Sequence, residues 1–337
     1  MKRKNVRWGV AIGLAVLISM APVTAMAETE TTTEAVLFDD MHIPNIIEAV
    51  SPTVVGIIGR TRSERGHEGM AHGSGVIISS GGNILTNAHV VRDMTTIMVV
   101  MNDGRGFEGR LRYIDEESDL AVVRINMIGL PVATFSDEAE IIVGRRVVAI
   151  GTPLTFSLRN SATVGYISGI NRGVGSFYKL IQIDAAVNPG NSGGALVNMQ
   201  GEIIGITNSG FVGWGVQNTN FAIPVDTIRR VLAHFDRYGR VIRACLQADF
   251  MDDWLAEAGI PTDTGLAIRS IERNAPLEIA GFVAGNTLFS ISGVAVNSTL
   301  ELNEALKHYM PGDTVTVGIH NGTEMVYAQI VLGERGE

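Results

Sequence analysis

The amino-acid sequence predicts an all-β domain followed by a smaller α+β module. Three observations carry that prediction. The stretch from Ser51 to about Ile206 is a succession of short Val- and Ile-rich runs too brief for helices, 39 glycines against 6% aromatics imply many tight turns, and useful helical periodicity first appears at Asp226. At 337 residues, 46% hydrophobic and 18% charged, the chain is long enough for two folded units and can bury a large core.

The elements follow in chain order. Lys2, Arg3, Lys4 and Arg7 precede an apolar run from Trp8 to Met20, then Pro22 and the small-residue pattern Ala25-Met26-Ala27, which together form a secretory signal over residues 1–27. Removal after Ala27 is favoured because the run is shorter than the roughly 20 residues of a spanning helix. An uncleaved membrane anchor is the competing reading, and both place the remainder outside the cytoplasm. Residues 28–34, Thr and Glu without a large apolar side chain, read as a solvated linker within an N-terminal segment ending at residue 50.

Strands are expected at 54–58, 75–78, 83–90, 97–101, 120–125, 147–150, 180–183 and 203–206, with turns at Ser80-Gly81-Gly82-Asn83 and Asn198-Met199-Gln200-Gly201. This pattern implies an antiparallel barrel or sandwich. Ile228, Val231, Leu232 and Phe235 recur at helical spacing after Pro224, and Gly239 closes that helix, so the first domain is set at 51–239. Residues 240–335 mix strands at 265–271 and 314–319 with a helix from Ser298, where Glu301 completes a capping box; Asn321-Gly322 then turns a hairpin into 324–332.

Several function classes are excluded or left without support. A net charge of -9, with no Lys/Arg cluster beyond the first seven residues, argues against nucleic-acid binding. Cys245 is the single cysteine, so no internal disulfide forms, and it reads as a packed small hydrophobe. His67, Glu68 and His72 have no further ligand at matching spacing and read as a solvated loop. No metal or other cofactor is expected.

Chemistry concentrates in three segments. Ser192 sits in Asn188-Pro189-Gly190-Asn191-Ser192-Gly193-Gly194, where glycines permit the tight backbone that presents a serine to a substrate. A serine nucleophile needs an imidazole to accept its proton and backbone N–H groups to stabilise the oxyanion; Gly190 and Ser192 are the candidate donors. The imidazole in turn needs a carboxylate. His89, after Thr86-Asn87-Ala88, and Asp119, ahead of Leu120-Ala121-Val122, stand at strand ends and complete a His, Asp, Ser order shared with chymotrypsin-type barrels.

Gly73-Ser74-Gly75-Val76-Ile77-Ile78, Thr86-Asn87-Ala88-His89-Val90-Val91, Ser118-Asp119-Leu120-Ala121-Val122, residues 184–194 and Phe221-Ala222-Ile223-Pro224 together resemble the HtrA/Deg family of bacterial serine proteases. The resemblance covers nearly all of residues 51–240. It implies a chymotrypsin-like double β-barrel, protein or peptide substrates, a periplasmic location and a homotrimer, with Phe38 near the trimer centre. The position six before the nucleophile, at the base of the specificity pocket in that fold, is Ala186; with Val187 it implies cleavage after small aliphatic residues. The alternative is that both side chains pack under the loop.

The C-terminal module resembles the single PDZ domain of the same family through Gly265-Leu266-Ala267-Ile268, residues 274–282 and Gly285-Asn286-Thr287-Leu288. Two departures stand out. Leu246-Gln247-Ala248 occupies the carboxylate-binding loop with Gln247 in place of a glycine, and Asn286 replaces an Asp. Capture of a C-terminal peptide activator and a mere docking role are therefore both open. Arg172 stands where single-PDZ relatives carry an arginine that relays peptide binding, or is simply solvated. The reading from a different class is a non-enzymatic chaperone or PDZ scaffold with an idle triad, although no triad residue or oxyanion-loop glycine is missing.

Overall fold

β-branched side chains favour extended backbone, and where they form continuous runs they need cover on both faces. The computed structural model, which describes residues 42–62, 66–137, 141–153, 155–209 and 218–336, closes these runs into two six-stranded antiparallel barrels. The first consists of β1 (Val54–Arg62), β2 (Glu68–Ile77), β3 (Asn83–Thr86), β4 (Met94–Val100), β5 (Gly106–Asp115) and β6 (Leu120–Ile125), in the order β1-β2-β3-β6-β5-β4. The second consists of β7 (Arg146–Gly151), β8 (Ser161–Arg172), β9 (Leu180–Ile183), β10 (Ala195–Val197), β11 (Ile203–Asn208) and β12 (Asn220–Pro224). Its order, β7-β8-β9-β12-β11-β10, repeats that of the first. Closure leaves no open sheet edge in either barrel. The predicted leader and Phe38 lie outside the described residues, among which no helix is long and apolar enough to cross a membrane.

Two local expectations need correction. The run 83–90 does not continue as a strand: β3 ends at Thr86, and residues 88–91 make the helical turn α2. The N-terminal segment, read without any element, forms α1 (His42–Val50) ahead of the first barrel and buries Ile46 and Val50. Ile43, Ile46, Ile47 and Val50 hold helical spacing, but Pro44 disguises it; in a first turn proline removes no intrahelical hydrogen bond.

The helix α3 (Val225–Tyr238) follows the second barrel and buries Ile228, Val231 and Phe235, with Phe235 stacked on Tyr113 at 5.1 Å between ring centroids. Gly239 ends it in the left-handed conformation, its amide bonded to Phe235 O. Beyond lie β13 (Ala244–Cys245), β14 (Ala248–Met251), α4 (Trp254–Glu257), β15 (Leu266–Ile271), α5 (Pro276–Ile279), β16 (Thr287–Ile291), β17 (Val294–Ala295), α6 (Thr299–Leu306), β18 (Thr314–His320), β19 (Met325–Val331) and β20 (Gly333–Glu334). These elements enclose a separate core that includes Leu246, Leu266, Leu288, Leu302, Val317 and Ile330. Ser298 Oγ caps α6 by accepting the Glu301 amide at 3.1 Å, as the capping pattern predicts.

Buried charges join this region to the barrels. Arg243 donates to both carboxylate oxygens of Asp115 at 2.8 and 2.6 Å and to Ser118 Oγ at 2.8 Å, directly before Asp119. Burial pushes the Asp115 carboxyl up, but the Arg243 guanidinium and the Ser118 donors outweigh it and hold the group below its ordinary value. Lys307, buried in the turn after α6, donates to Asp226 Oδ2 at 2.5 Å and Thr227 Oγ1 at 2.8 Å at the start of α3.

Candidate active site

The barrels meet where Ser74 of β2 reaches the loop before β10: its amide donates to Ser192 O at 2.8 Å and its hydroxyl to Gly190 O at 2.7 Å. Thr86 Oγ1 in turn donates to Ser74 O at 2.7 Å, so the end of β3 and the Ser192 loop share one hydrogen-bonded frame. His89 rises from α2 directly after that end. Its ring Nδ1 lies 2.7 Å from Asp119 Oδ2, and its backbone N–H donates to Asp119 Oδ1 at 2.8 Å. A carboxylate can only accept, so Nδ1 carries the proton and Nε2 is left with the lone pair of a base.

Asp119 is oriented from several sides. Its φ of +52° is left-handed, fixed by Asp119 N donating to Glu116 O at 3.1 Å and by the Asp115–Arg243 pair behind the turn. Asn87 Nδ2 donates to its carbonyl at 2.9 Å, and Asn208 Nδ2 to Oδ2 at 2.5 Å. Ser192 is 3% exposed in a turn that requires its glycines. Gly190 has φ +101°, and a Cβ there would lie 2.5 Å from Thr152 O and 2.6 Å from His72 Nε2. Among the described residues the amides of Gly190 and Ser192 have no hydrogen-bond acceptor, whereas Gly193 N is used by Thr207 O at 2.9 Å. Two amides left free beside a serine are the kind of donors a developing oxyanion requires.

Residues 73–206, which contain all three of these side chains, match the trypsin-like peptidase domain. The chain is 35% identical over 268 residues to a probable periplasmic serine endoprotease DegP-like of Halomonas elongata, covering 78% of this chain and 56% of that protein. It is 30% identical over 304 residues to the serine protease Do-like HtrA of Lactococcus lactis subsp. cremoris, covering 82% and 75% respectively. The chain belongs to the HtrA family. It thus spans little more than half of the first relative and three quarters of the second. The solved HtrA-type protease AlgW with decapeptide superposes on this HtrA chain with a TM-score of 0.73 at 28% identity, covering 87% of this chain and 99% of that one.

The remaining predicted positions separate in this HtrA structure. Val187 packs in the second barrel's core, while Ala186 is exposed and its carbonyl accepts Thr163 Oγ1 at 2.8 Å. Arg172 is exposed at the end of β8 and donates to Gln182 Oε1 at 2.9 Å. The loop just after it, Phe177 to Lys179, is what meets the C-terminal region: Asn303 donates to Phe177 O at 3.1 Å, and Glu304 accepts the Lys179 amide at 2.8 Å. Leu246 is buried, Gln247 takes a left-handed φ of +52° and Ala248 opens β14 at the edge of its sheet. Asn286 is buried, and its Oδ1 accepts the Val283 amide at 3.1 Å, a role any side-chain carbonyl or carboxylate oxygen fills. His72 is not in a solvated loop: β2 reaches back to Glu68, and His72 Nε2 is buried against the Gly190 turn.

Sequence reasoning missed Thr207, Asn208 and Ser209. Thr207 Oγ1 donates to Asn191 O at 2.7 Å, Asn208 holds Asp119, and Ser209 touches Ser192. The available signal was three polar residues in a row closing the apolar run Ile203-Ile204-Gly205-Ile206. Buried polar groups need partners, and Thr207 and Asn208 find theirs in the loops of Asn191 and Asp119.

Proposed function

We propose that this HtrA chain is a serine endopeptidase of the bacterial envelope, acting on misfolded or regulatory proteins. The observation that carries this reading is the His89–Asp119 couple beside a Ser192 turn with two unpartnered amides. Ser192 Oγ attacks the scissile carbonyl while His89 Nε2 takes its proton, and Asp119 stabilises the imidazolium that results. The Gly190 and Ser192 amides receive the oxyanion. His89 then passes the proton to the leaving amine, and water releases the acyl group by the same route in reverse.

Exposed, uncharged Ala186 supports preference for small aliphatic residues before the scissile bond, so a Val peptide is cut faster than a matched Lys peptide. Residues 51–239 form the protease domain and 240–335 a PDZ-like domain, behind a 1–27 leader that is cleaved or anchors the chain in the inner membrane. The left-handed backbone of Gln247, the conformation a glycine would adopt, and the edge position of β14 support capture of a peptide C-terminus as an added strand at Leu246, Gln247 and Ala248. Arg172 precedes the Phe177–Lys179 contact with that domain and relays its occupancy. The names of the relatives support a periplasmic location, and family membership supports a homotrimer.

The test is hydrolysis of unfolded casein by the purified chain beside Ser192→Ala, with and without peptides ending in aliphatic or aromatic carboxylates. Cleavage by the wild type alone is expected, and peptide stimulation marks a working PDZ loop. A folded protein that cleaves nothing under any of these conditions would instead be a binding protein with an idle triad.

A further inference from the structure

Serine hydrolysis requires the nucleophile's hydroxyl to lie within hydrogen-bond reach of its base. In this structure that hydrogen bond is not made among the described residues. Among the described residues the partners of Ser192 Oγ are Ser209 Oγ at 2.6 Å and the Ser209 amide at 3.1 Å; His89 Nε2 makes no hydrogen bond to it. Either hydroxyl can donate in the closer contact, but the Ser209 N–H can only donate, so one lone pair of the attacking oxygen is engaged in both cases.

The backbone explains why Ser209 is placed to do this. β11 pairs with β12 as far as Asn208 and Phe221, so the Ser209 amide is the first past the end of the ladder. Thr207 anchors this end through hydrogen bonds to Asn191 and Gly194, on either side of Ser192. Asn208, in between, is fixed to Asp119. The backbone of Ser209 is therefore tethered beside the nucleophile, and the Ser192 hydroxyl leaves the contact by rotation about a single bond.

We propose that Ser209 is the resting partner of the nucleophile, a positioning residue that holds the Ser192 hydroxyl off His89 until a substrate occupies the cleft. The inference rests on the protease reading above. Acylation then includes exchange of the Ser209 contact for the His89 contact, and loss of the Ser209 hydroxyl makes that exchange easier.

The experiment is the second-order rate constant for reaction of the full chain with diisopropyl fluorophosphate, a reagent small enough to need little of the substrate cleft. Ser192 Oγ bonds to phosphorus, fluoride leaves, and His89 takes the proton. Ser209→Ala keeps the amide contact but deletes the hydroxyl, so the rate rises by about three- to tenfold, the range set by one neutral hydrogen bond. The pH midpoint of the reaction stays where it is while its plateau rises, and Ser209→Thr, which restores a hydroxyl, returns the rate toward wild type. A general loosening of the fold would raise neither the plateau nor be reversed by threonine. Should the alanine variant fail to fold, Ser209→Gly carries the same expectation. An unchanged or slower reaction in the folded variant overturns the proposal while leaving the protease reading intact. No reaction at Ser192 in either protein removes both.

Discussion

His89, Asp119 and Ser192 are each held by hydrogen bonds from neighbouring elements. Asn208 is the clearest case, since its amide shares Asp119 Oδ2 with the His89 ring. Asn208→Ala leaves that carboxylate oxygen with one donor and freer to turn, and a hydrogen bond to a charged group contributes about 1.5–3 kcal/mol. kcat/KM is therefore expected to fall by about tenfold or more, mostly in kcat, with the melting temperature little changed; Asn208→Ser recovers part of the loss. Steady-state kinetics on a Val peptide would check this, and a variant with full activity would contradict it. His89, Asp119 and Ser192 stand out in the sequence because glycines and chain order mark them. Asn208 was not, because nothing local distinguishes a buried asparagine that serves a distant carboxylate from one that closes a turn.

Among elements, those read correctly from the sequence are the ones whose apolar residues run without a break. β6 and β9 match the expected runs residue for residue. β5 and β8 were missed: β5 carries exposed Arg110, Leu111 and Arg112 in succession and its one fully buried position is Gly109, and β8 turns Gly165 and Gly169 inward, where a side chain would collide with Asp184 or Arg172. A strand whose buried face is glycine shows no hydrophobic alternation to detect. α1 was hidden by Pro44, yet its Ile46 and Val50 pack into the main core. Ile46→Ala removes a buried branched side chain and is expected to cost about 2–4 kcal/mol. Urea unfolding would measure it, and a cost below about 0.5 kcal/mol would mean that α1 does not pack as described.

Across the whole molecule, the junction after α3 ties the C-terminal region to the turn carrying Asp119, and it is sensitive to acid. His234 is buried there, and its Nδ1 accepts the Ile242 amide at 3.1 Å. Burial, with Arg230 and Arg243 nearby, pushes its pKa down to about 4 from an ordinary 6.5. The unfolded chain therefore binds a proton at this residue between pH 6.5 and about 4 while the folded chain does not, so stability falls as pH drops through that window. His234→Gln, which keeps an acceptor, should flatten the melting temperature across the same range; an equally steep wild-type and variant profile would contradict the assignment. Below it, Asp115 adds a second loss as its lowered carboxyl protonates and releases Arg243. The short strands, α3 and the mixed C-terminal region were readable from pattern and the double barrel from the family resemblance, whereas this junction was not, because it is built from Asp115, His234, Arg243 and Lys307, polar and charged residues that composition assigns to the surface. The central claim, that Ser192 is a nucleophile activated by His89, is tested most directly by mapping the adduct left by diisopropyl fluorophosphate. One adduct per chain on Ser192, absent from His89→Ala, is the expected result. A folded wild type with no adduct there, or an adduct that persists undiminished without His89, would contradict it.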